Sequence, residues 1–286
     1  MRLNTIYQGD AFNILKLLPD KFVHCVVTSP PYYGLRDYGI VNQIGLEKSL
    51  QEYIDRLTIV FMEVYRILKD RGTLWLNLGD SYASTTKGSG GENNKAGLFH
   101  RGQGKNSGSF FNIRKFDLNI SGVKPKDLFG VPWRMALALQ SQGWFLRNDI
   151  IWEKPNVMPT SARDRCTLSH EYVFLLTKDS KYYCNMGKIR ESSVQEFGDV
   201  LYGKNRNRRT VWRLNKETIR DTHFATFPRK LVELCILAGT PKNGIVLDPF
   251  MGSGTTALVA KSLQRNFVGI ELNTKYIKLA KKRLQS

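Results

Sequence analysis

The run Thr28-Ser29-Pro30-Pro31-Tyr32-Tyr33 restricts the fold more than any other stretch of the chain. It follows Val23-His24-Cys25-Val26-Val27, a short apolar segment rich in β-branched residues that reads as a buried strand. Two consecutive prolines cannot continue a ladder, because each lacks an N–H and fixes φ. The chain must leave the sheet here, stiffly, with a small hydroxyl before the prolines and two aromatic rings after them. Such a turn suits gripping a flat polar molecule; an ordinary strand-end turn is the alternative.

The pattern around this turn predicts alternating strands and helices. Strands are expected at 3–7, 23–28 and 73–78, with helices at 11–18 and 50–68 between them; Asp70-Arg71-Gly72 is read as the end of the second helix. Strand, helix, strand, helix, strand is the signature of a parallel sheet wrapped by helices. After a break, a helix is expected at 125–142, strands at 144–152 and 171–177, a helix at 227–238, a strand at 244–248, a helix at 255–263, a strand at 266–271 and a closing helix at 275–284. The break, 81–123, is glycine-rich and basic, and reads as a long flexible loop: a flap over a nucleic-acid backbone or a tolerated insertion.

Charge narrows the partner. Lys and Arg number 43 against 25 acids, a net charge of +18 over 286 residues. Such an excess points to a polyanion, with nucleic acid ahead of a membrane surface. Arg163 and Arg165 lie in a proline-containing loop, and Arg206, Arg208 and Arg209 lie in a basic stretch, 178–222, expected to be irregular and interleaved with aromatics. That mixture suits phosphates plus bases, a solvated basic face being the alternative. The four cysteines are scattered with no Cys-x-x-Cys pair, so neither a zinc site nor a redox motif is suggested and no metal is expected. No segment approaches the 18 apolar residues of a membrane span and none resembles a signal peptide, so a cytoplasmic protein is expected.

A second signal lies near the other end. Val246-Leu247-Asp248-Pro249-Phe250-Met251-Gly252-Ser253-Gly254-Thr255-Thr256 runs strand, glycine turn, helix, and the next strand ends in Glu271. This is the layout of a nucleotide-type cofactor site, with glycines admitting close backbone approach and an acid placed for ribose hydroxyls. A dinucleotide fits poorly, because there is no third glycine and Asp248 would repel a pyrophosphate; a P-loop is excluded because no Gly-Lys-Thr is present. An aspartate facing the site suits a cationic ligand, and S-adenosyl-L-methionine, with ribose, adenine, ammonium and sulfonium, meets these demands.

Asp248-Pro249-Phe250-Met251-Gly252-Ser253-Gly254-Thr255-Thr256, taken with Thr28-Ser29-Pro30-Pro31-Tyr32, resembles the amino-methylating DNA methyltransferases of bacteria and phages. The order, catalytic motif first and cofactor motif last, resembles their β group. Further matches are Gly9-Asp10, the segment from Leu74 to Asp80, the segment from Arg147 to Pro155, and His223 with Pro228.

The resemblance implies an α/β, Rossmann-like methyltransferase fold: a seven-stranded, mostly parallel sheet with an antiparallel last strand, circularly permuted in sequence. It divides the chain into a catalytic half at 1–80 and 124–177, the flexible basic loop 81–123, an embedded target-recognition region at 178–222 and a cofactor-binding half at 223–286. It implies double-stranded DNA as partner, with base flipping to reach the amine, a bacterial or phage source and, by analogy, a homodimer; it leaves open whether a separate cognate restriction endonuclease exists, since no nuclease motif is evident in this chain.

The residues carry roles accordingly. Ser29 and the Pro30 carbonyl would accept hydrogen bonds from the target amine, Pro31 would fix the turn and Tyr32 would stack on the flipped base. Asp10, Thr28, Asp248, Pro249, Phe250, Gly252, Ser253, Gly254, Thr255, Thr256 and Glu271 would form the cofactor site. Arg163, Arg165, Arg206, Arg208 and Arg209 would meet DNA. Serine at the first motif position usually goes with cytosine N4 in this family, and aspartate usually with adenine N6. Methylation of adenine N6 and a non-catalytic DNA-binding relative are the alternatives. Transfer to cytosine C5 is disfavoured, because it needs a cysteine nucleophile after proline and Cys25 sits inside a buried strand.

Overall fold

A computed structural model describes residues 2–35, 37–40, 42–83, 123–160, 162–197, 200–217 and 227–285, with the backbone alone inside 193–204. Residues 84–122 of the expected basic loop, and His223, lie outside the described residues.

The double-proline turn follows β2 (Val23–Thr28), which lies between β9 (Ile245–Asp248) and β3 (Leu68–Leu78) in the sheet. All three run parallel, with Val26 opposite Leu247 on one side and Leu74 on the other. Outside β9 come β10 (Asn266–Glu271) and then β1 (Thr5–Gln8), also parallel. The β1–β10 pairing joins the two ends of the chain in one half of the sheet, which is the permutation expected.

Beyond β3 lie β4 (Phe145–Glu153) and β5 (His170–Thr177), with β5 antiparallel to both neighbours. The antiparallel strand is therefore β5, the last strand before residue 178. Among the described residues the sheet has eight strands rather than seven, because β8 (Val211–Arg213) adds parallel to β4. A separate hairpin is formed by β6 (Glu191–Phe197) and β7 (Val200–Arg206). The basic stretch 178–222 is thus more regular than expected: it holds a 3₁₀ turn (Met186–Ile189), the hairpin and β8.

Helices cover both faces. On one side pack α1 (Ala11–Leu15), α2 (Leu50–Ile67) and α3 (Val131–Ser141), joined in a core that includes Leu15, Leu57, Phe61 and Met135. On the other pack α4 (Arg229–Gly239), α5 (Thr255–Ser262) and α6 (Thr274–Gln285), through Leu231, Ile236, Ala257 and Ile277. Along β2 the period of two sends Val26 to the first core and Cys25 and Val27 to the second, while Val23, on the other side of a register shift between Val23 and Cys25, also joins the first.

Helix α2 starts at a capping box in which Ser49 and Glu52 satisfy each other's backbone N–H groups, worth about 1 kcal/mol. It ends at Ile67, and β3 begins immediately at Leu68, so Asp70-Arg71-Gly72 is part of the strand rather than a break before it. Helix α1 stops at Leu15 and α3 starts only at Val131, both shorter than their sequence patterns. Among the described residues, no helix is long and apolar enough to cross a membrane.

Candidate active site

The register of β2 and β9 brings the two motifs to neighbouring strand ends, and the contact between them is direct. Thr28 donates its hydroxyl to Asp248 Oδ1 at 2.6 Å, Thr256 donates to Oδ2 at 2.7 Å, and the Phe250 N–H donates to Oδ1 at 3.0 Å. Asp248 is 1% exposed.

A cavity of about 230 Å³ opens at these strand ends. Asp10, Ser29, Pro30, Pro31, Tyr32, Pro249, Phe250, Gly252, Ser253, Thr255 and Glu271 line it. Thr28, Asp248, Gly254 and Thr256 do not. Asp248 turns both oxygens inward onto Thr28, Thr256 and the Phe250 amide, and this group braces the cavity wall from behind.

Burial pushes the Asp248 carboxyl up to about 6 from its ordinary 3.8, against the hydrogen bonds from Thr28, Thr256 and Phe250 that favour the anion. A folded-state value above the unfolded one means that the stability from this group is complete below about 3.8 and is lost as pH rises through about 6. The loss amounts to roughly 3 kcal/mol at 1.36 kcal/mol per unit. Asp248→Asn removes the titration. Urea unfolding of both proteins from pH 4 to 7 is expected to show the wild type losing stability relative to the variant across the acid part of that range. A difference that stays constant with pH would refute the assignment.

On the cofactor side, the glycine turn uses left-handed backbone at Gly252 (φ 53°) and Gly254 (φ 84°). Among the described residues, and leaving out its chain neighbours, nothing lies nearer than 3.9 Å to where a Cβ of Gly252 would stand, so that face of the turn is open. Arg283 of α6 pins the turn, donating to the Ser253 carbonyl at 2.6 Å and to its hydroxyl at 2.8 Å. Glu271 ends β10 at the cavity. It accepts from the Gly252 N–H at 2.7 Å and from the Asn273 N–H at 2.7 Å, and each oxygen keeps a further lone pair for a hydroxyl donor. Burial raises the Glu271 carboxyl above its ordinary value. Asp10 caps α1 by accepting from Asn13 at 3.1 Å.

On the other side, Tyr53 of α2 donates its hydroxyl to the Pro31 carbonyl at 2.9 Å and holds the double-proline turn. The Ser29 hydroxyl donates to Tyr32 Oη at 3.3 Å. Tyr32 in turn donates to Glu171 Oε2 at 2.7 Å, with Asn77 Oδ1 a second acceptor at 3.3 Å. Lys154 forms an ion pair with the other Glu171 oxygen and lies 4.6 Å from the centroid of the Trp152 ring. Burial lowers the Lys154 pKa, against the pull of Glu171.

Burial pushes the Cys25 thiol up to about 11, so it is a packed core thiol within β2.

Residues 23–282 match the model of the N6/N4 DNA methylases. The chain belongs to this DNA methylase family. The Type II methyltransferase M.SmaI of Serratia marcescens is 49% identical over 284 residues, covering 99% of the chain and 91% of that protein. M.Cfr9I of Citrobacter freundii is 47% identical over 281 residues, covering 98% and 87%. Among solved structures, PvuII DNA methyltransferase (cytosine-N4-specific) superposes with a TM-score of 0.68 at 19% identity, over 98% of the chain and 85% of that protein. A DNA modification methylase of Thermus thermophilus in complex with S-adenosyl-L-methionine superposes at 0.64 and 22% identity, over 98% and 92%.

The methylase's cofactor is S-adenosyl-L-methionine, and the residues present fit it. The open left-handed turn at Gly252 admits close approach of backbone, and Glu271 offers acceptors for a diol. The expected DNA contacts stand apart from the cavity. Arg206 and Arg209 donate to Glu191 at 3.0 and 2.8 Å, Arg208 donates to the Ile189 carbonyl at 2.9 Å, and Arg165 lies 3.6 Å from the Tyr82 ring centroid. Arg163 is exposed.

Sequence reasoning assigns no role to Asn77, Lys154, Glu171 or Lys216 of the methylase, yet all four line the cavity. Asn77 could have been found as the one polar side chain in the apolar run 74–78, a position that carries a cost unless it is hydrogen-bonded.

Proposed function

We propose that this methylase transfers the methyl group of S-adenosyl-L-methionine to the exocyclic N4 amine of a cytosine rotated out of double-stranded DNA. The observation that carries this reading is Ser29, a hydroxyl in place of a carboxylate at the first position of the motif, lining the cavity beside Tyr32. A cytosine amine is a poor nucleophile because its lone pair is delocalised into the ring, so a site must favour tetrahedral nitrogen and hold it in line for attack. The Ser29 hydroxyl and the Pro30 carbonyl accept the amine N–H bonds and bear the positive charge that develops on nitrogen. The bound cofactor supplies an electrophilic methyl on a sulfonium. Tyr53 and the prolines keep the acceptors from drifting, and Tyr32 offers its ring to the base.

Rotation of the base is required because the amine is out of reach inside the helix. The cationic surface, +18 overall, supports duplex binding, and the β6–β7 hairpin with Arg206, Arg208 and Arg209 is the proposed target-recognition element.

The test is the product. Protein, labelled S-adenosyl-L-methionine and mixed-sequence duplex DNA are incubated, the DNA is digested to nucleosides, and the labelled nucleoside is identified by mass. N4-methylcytosine is expected. N6-methyladenine would overturn the choice of amine, and an absence of transfer would overturn the activity.

A further inference from the structure

Glu171 takes no part in the chemistry so far, although its carboxylate faces the same cavity as Ser29. We propose that Glu171 is the terminal proton acceptor of methyl transfer, reached from Ser29 through the Tyr32 hydroxyl. The inference rests on the reading of Ser29 as the acceptor for the target amine.

The hydrogen bonds have one consistent direction. A phenol has one proton, and Tyr32 faces Glu171 Oε2 at 2.7 Å and Asn77 Oδ1 at 3.3 Å. The shorter, charge-assisted bond wins, so Tyr32 donates to Glu171 and its oxygen is left to accept from Ser29 at 3.3 Å. With its proton turned toward Tyr32, Ser29 keeps its lone pairs for a donor in the cavity.

Asn77 fixes the geometry. Its amide N–H₂ donates to Glu171 Oε2 at 3.1 Å and to the Tyr172 carbonyl at 3.0 Å, which turns its oxygen toward Tyr32. Lys154 occupies the other Glu171 oxygen. Burial, reinforced by the Glu171 charge, holds the Tyr32 phenol well above its ordinary value, so it carries a proton rather than sitting as a phenolate.

In the transfer step, the amine nitrogen forms a bond to the methyl carbon while the carbon–sulfur bond breaks, its electron pair going to sulfur. The methylated nitrogen then gives a proton to Ser29 Oγ, as the Ser29 proton passes to Tyr32 Oη and the Tyr32 proton to Glu171 Oε2. The amine ends neutral and Glu171 ends as a carboxylic acid, to be discharged to water after product leaves. A hydroxyl thereby draws on a carboxylate that the motif itself lacks.

The test uses Tyr32→Phe, which keeps the ring and removes only the hydroxyl, together with Glu171→Gln and the double variant. Single-turnover methylation is expected to slow about 100-fold in each single variant. Affinity for S-adenosyl-L-methionine and for duplex DNA is expected to stay within about threefold. Because both residues serve one relay, the double variant is expected to be no slower than the slower single one, where independent effects would multiply.

A Tyr32→Phe rate within about threefold of wild type would overturn the relay. So would multiplicative effects, or a collapse of cofactor affinity in place of rate. Nucleoside analysis of the wild-type product separates the two readings. N6-methyladenine with the relay kinetics intact would fail the cytosine assignment alone. N4-methylcytosine without them would fail the relay alone.

Discussion

Gly79→Val is expected to slow methyl transfer by about 10³-fold while leaving S-adenosyl-L-methionine affinity within about threefold. Gly79 follows β3 directly, and a Cβ there would stand 2.7 Å from Tyr32 Cε2 and 3.2 Å from Glu171 Cδ. Ordinary carbon–carbon contact is about 3.5–4.0 Å, so the ring must retreat by close to 1 Å. It has little freedom to do so. Its hydroxyl is tied to Glu171 at 2.7 Å, and Glu171 is itself held by Asn77 and Lys154. A displacement of that size is worth about 10²-fold through misalignment alone, and loss of the Tyr32–Glu171 hydrogen bond adds to it. Valine suits a strand end, so the fold is expected to survive. The measurement is single-turnover methylation beside equilibrium cofactor binding. A rate near wild type would show that Tyr32 does not form the wall against which the base is held.

The sequence revealed the parts of this molecule that depend on periodicity and on backbone chemistry. The strands β2, β9 and β10 were legible because short β-branched runs end at residues that cannot continue a ladder or that turn sharply. Their neighbourhood was legible because two cofactor-site signals on separate strands have to meet at strand ends. The eighth strand was not. Val211-Trp212-Arg213 is three residues long and follows a basic run, so nothing in its local pattern exceeds a loop. The hairpin β6–β7 was hidden for a related reason: its strands, Glu191–Phe197 and Val200–Arg206, mix charged, polar and apolar residues without clean alternation.

The site divides along the same line. Residues whose role is backbone geometry, such as Pro30, Pro31, Gly252 and Gly254, announce themselves by residue type. Glu171 does not, since a single acid at the start of β5 looks like a strand terminus. It becomes part of the site only because β5 runs antiparallel beside β3 and sets Tyr172 opposite Leu78. That puts Glu171 within reach of Asn77 and of the turn after β2. Asp248 shows the converse. Its residue type and position suggested a ligand contact, while burial and the Thr28 and Thr256 hydroxyls make it the tie between the two motifs.

Gly254→Ala is expected to do on the cofactor side what Gly79→Val does on the base side. Gly254 precedes α5 with φ 84°, in the left-handed region that costs other residues about 1–2 kcal/mol. A Cβ there would stand 2.7 Å from the Cβ of Ala280, which is fully buried in α6. Overpacking of this kind costs about 1–3 kcal/mol. The turn cannot relax outward freely, because Arg283 of the same helix grips Ser253. The sum, roughly 2–5 kcal/mol, appears as lost stability if the turn holds its shape. It appears as weaker cofactor binding, by about 30-fold to about 4,000-fold, if the turn shifts instead. Thermal unfolding and calorimetric titration with S-adenosyl-L-methionine together read both routes. Adding Ala280→Gly removes the clash but not the strained φ, so the double variant is expected to recover part of the loss and not all of it. Full recovery would show that backbone strain at Gly254 is negligible, and no recovery would show that α6 does not press on the turn. Duplex DNA binding without cofactor is expected to survive Gly254→Ala, because the strained turn lies on the far side of the Thr28–Asp248 tie from the base.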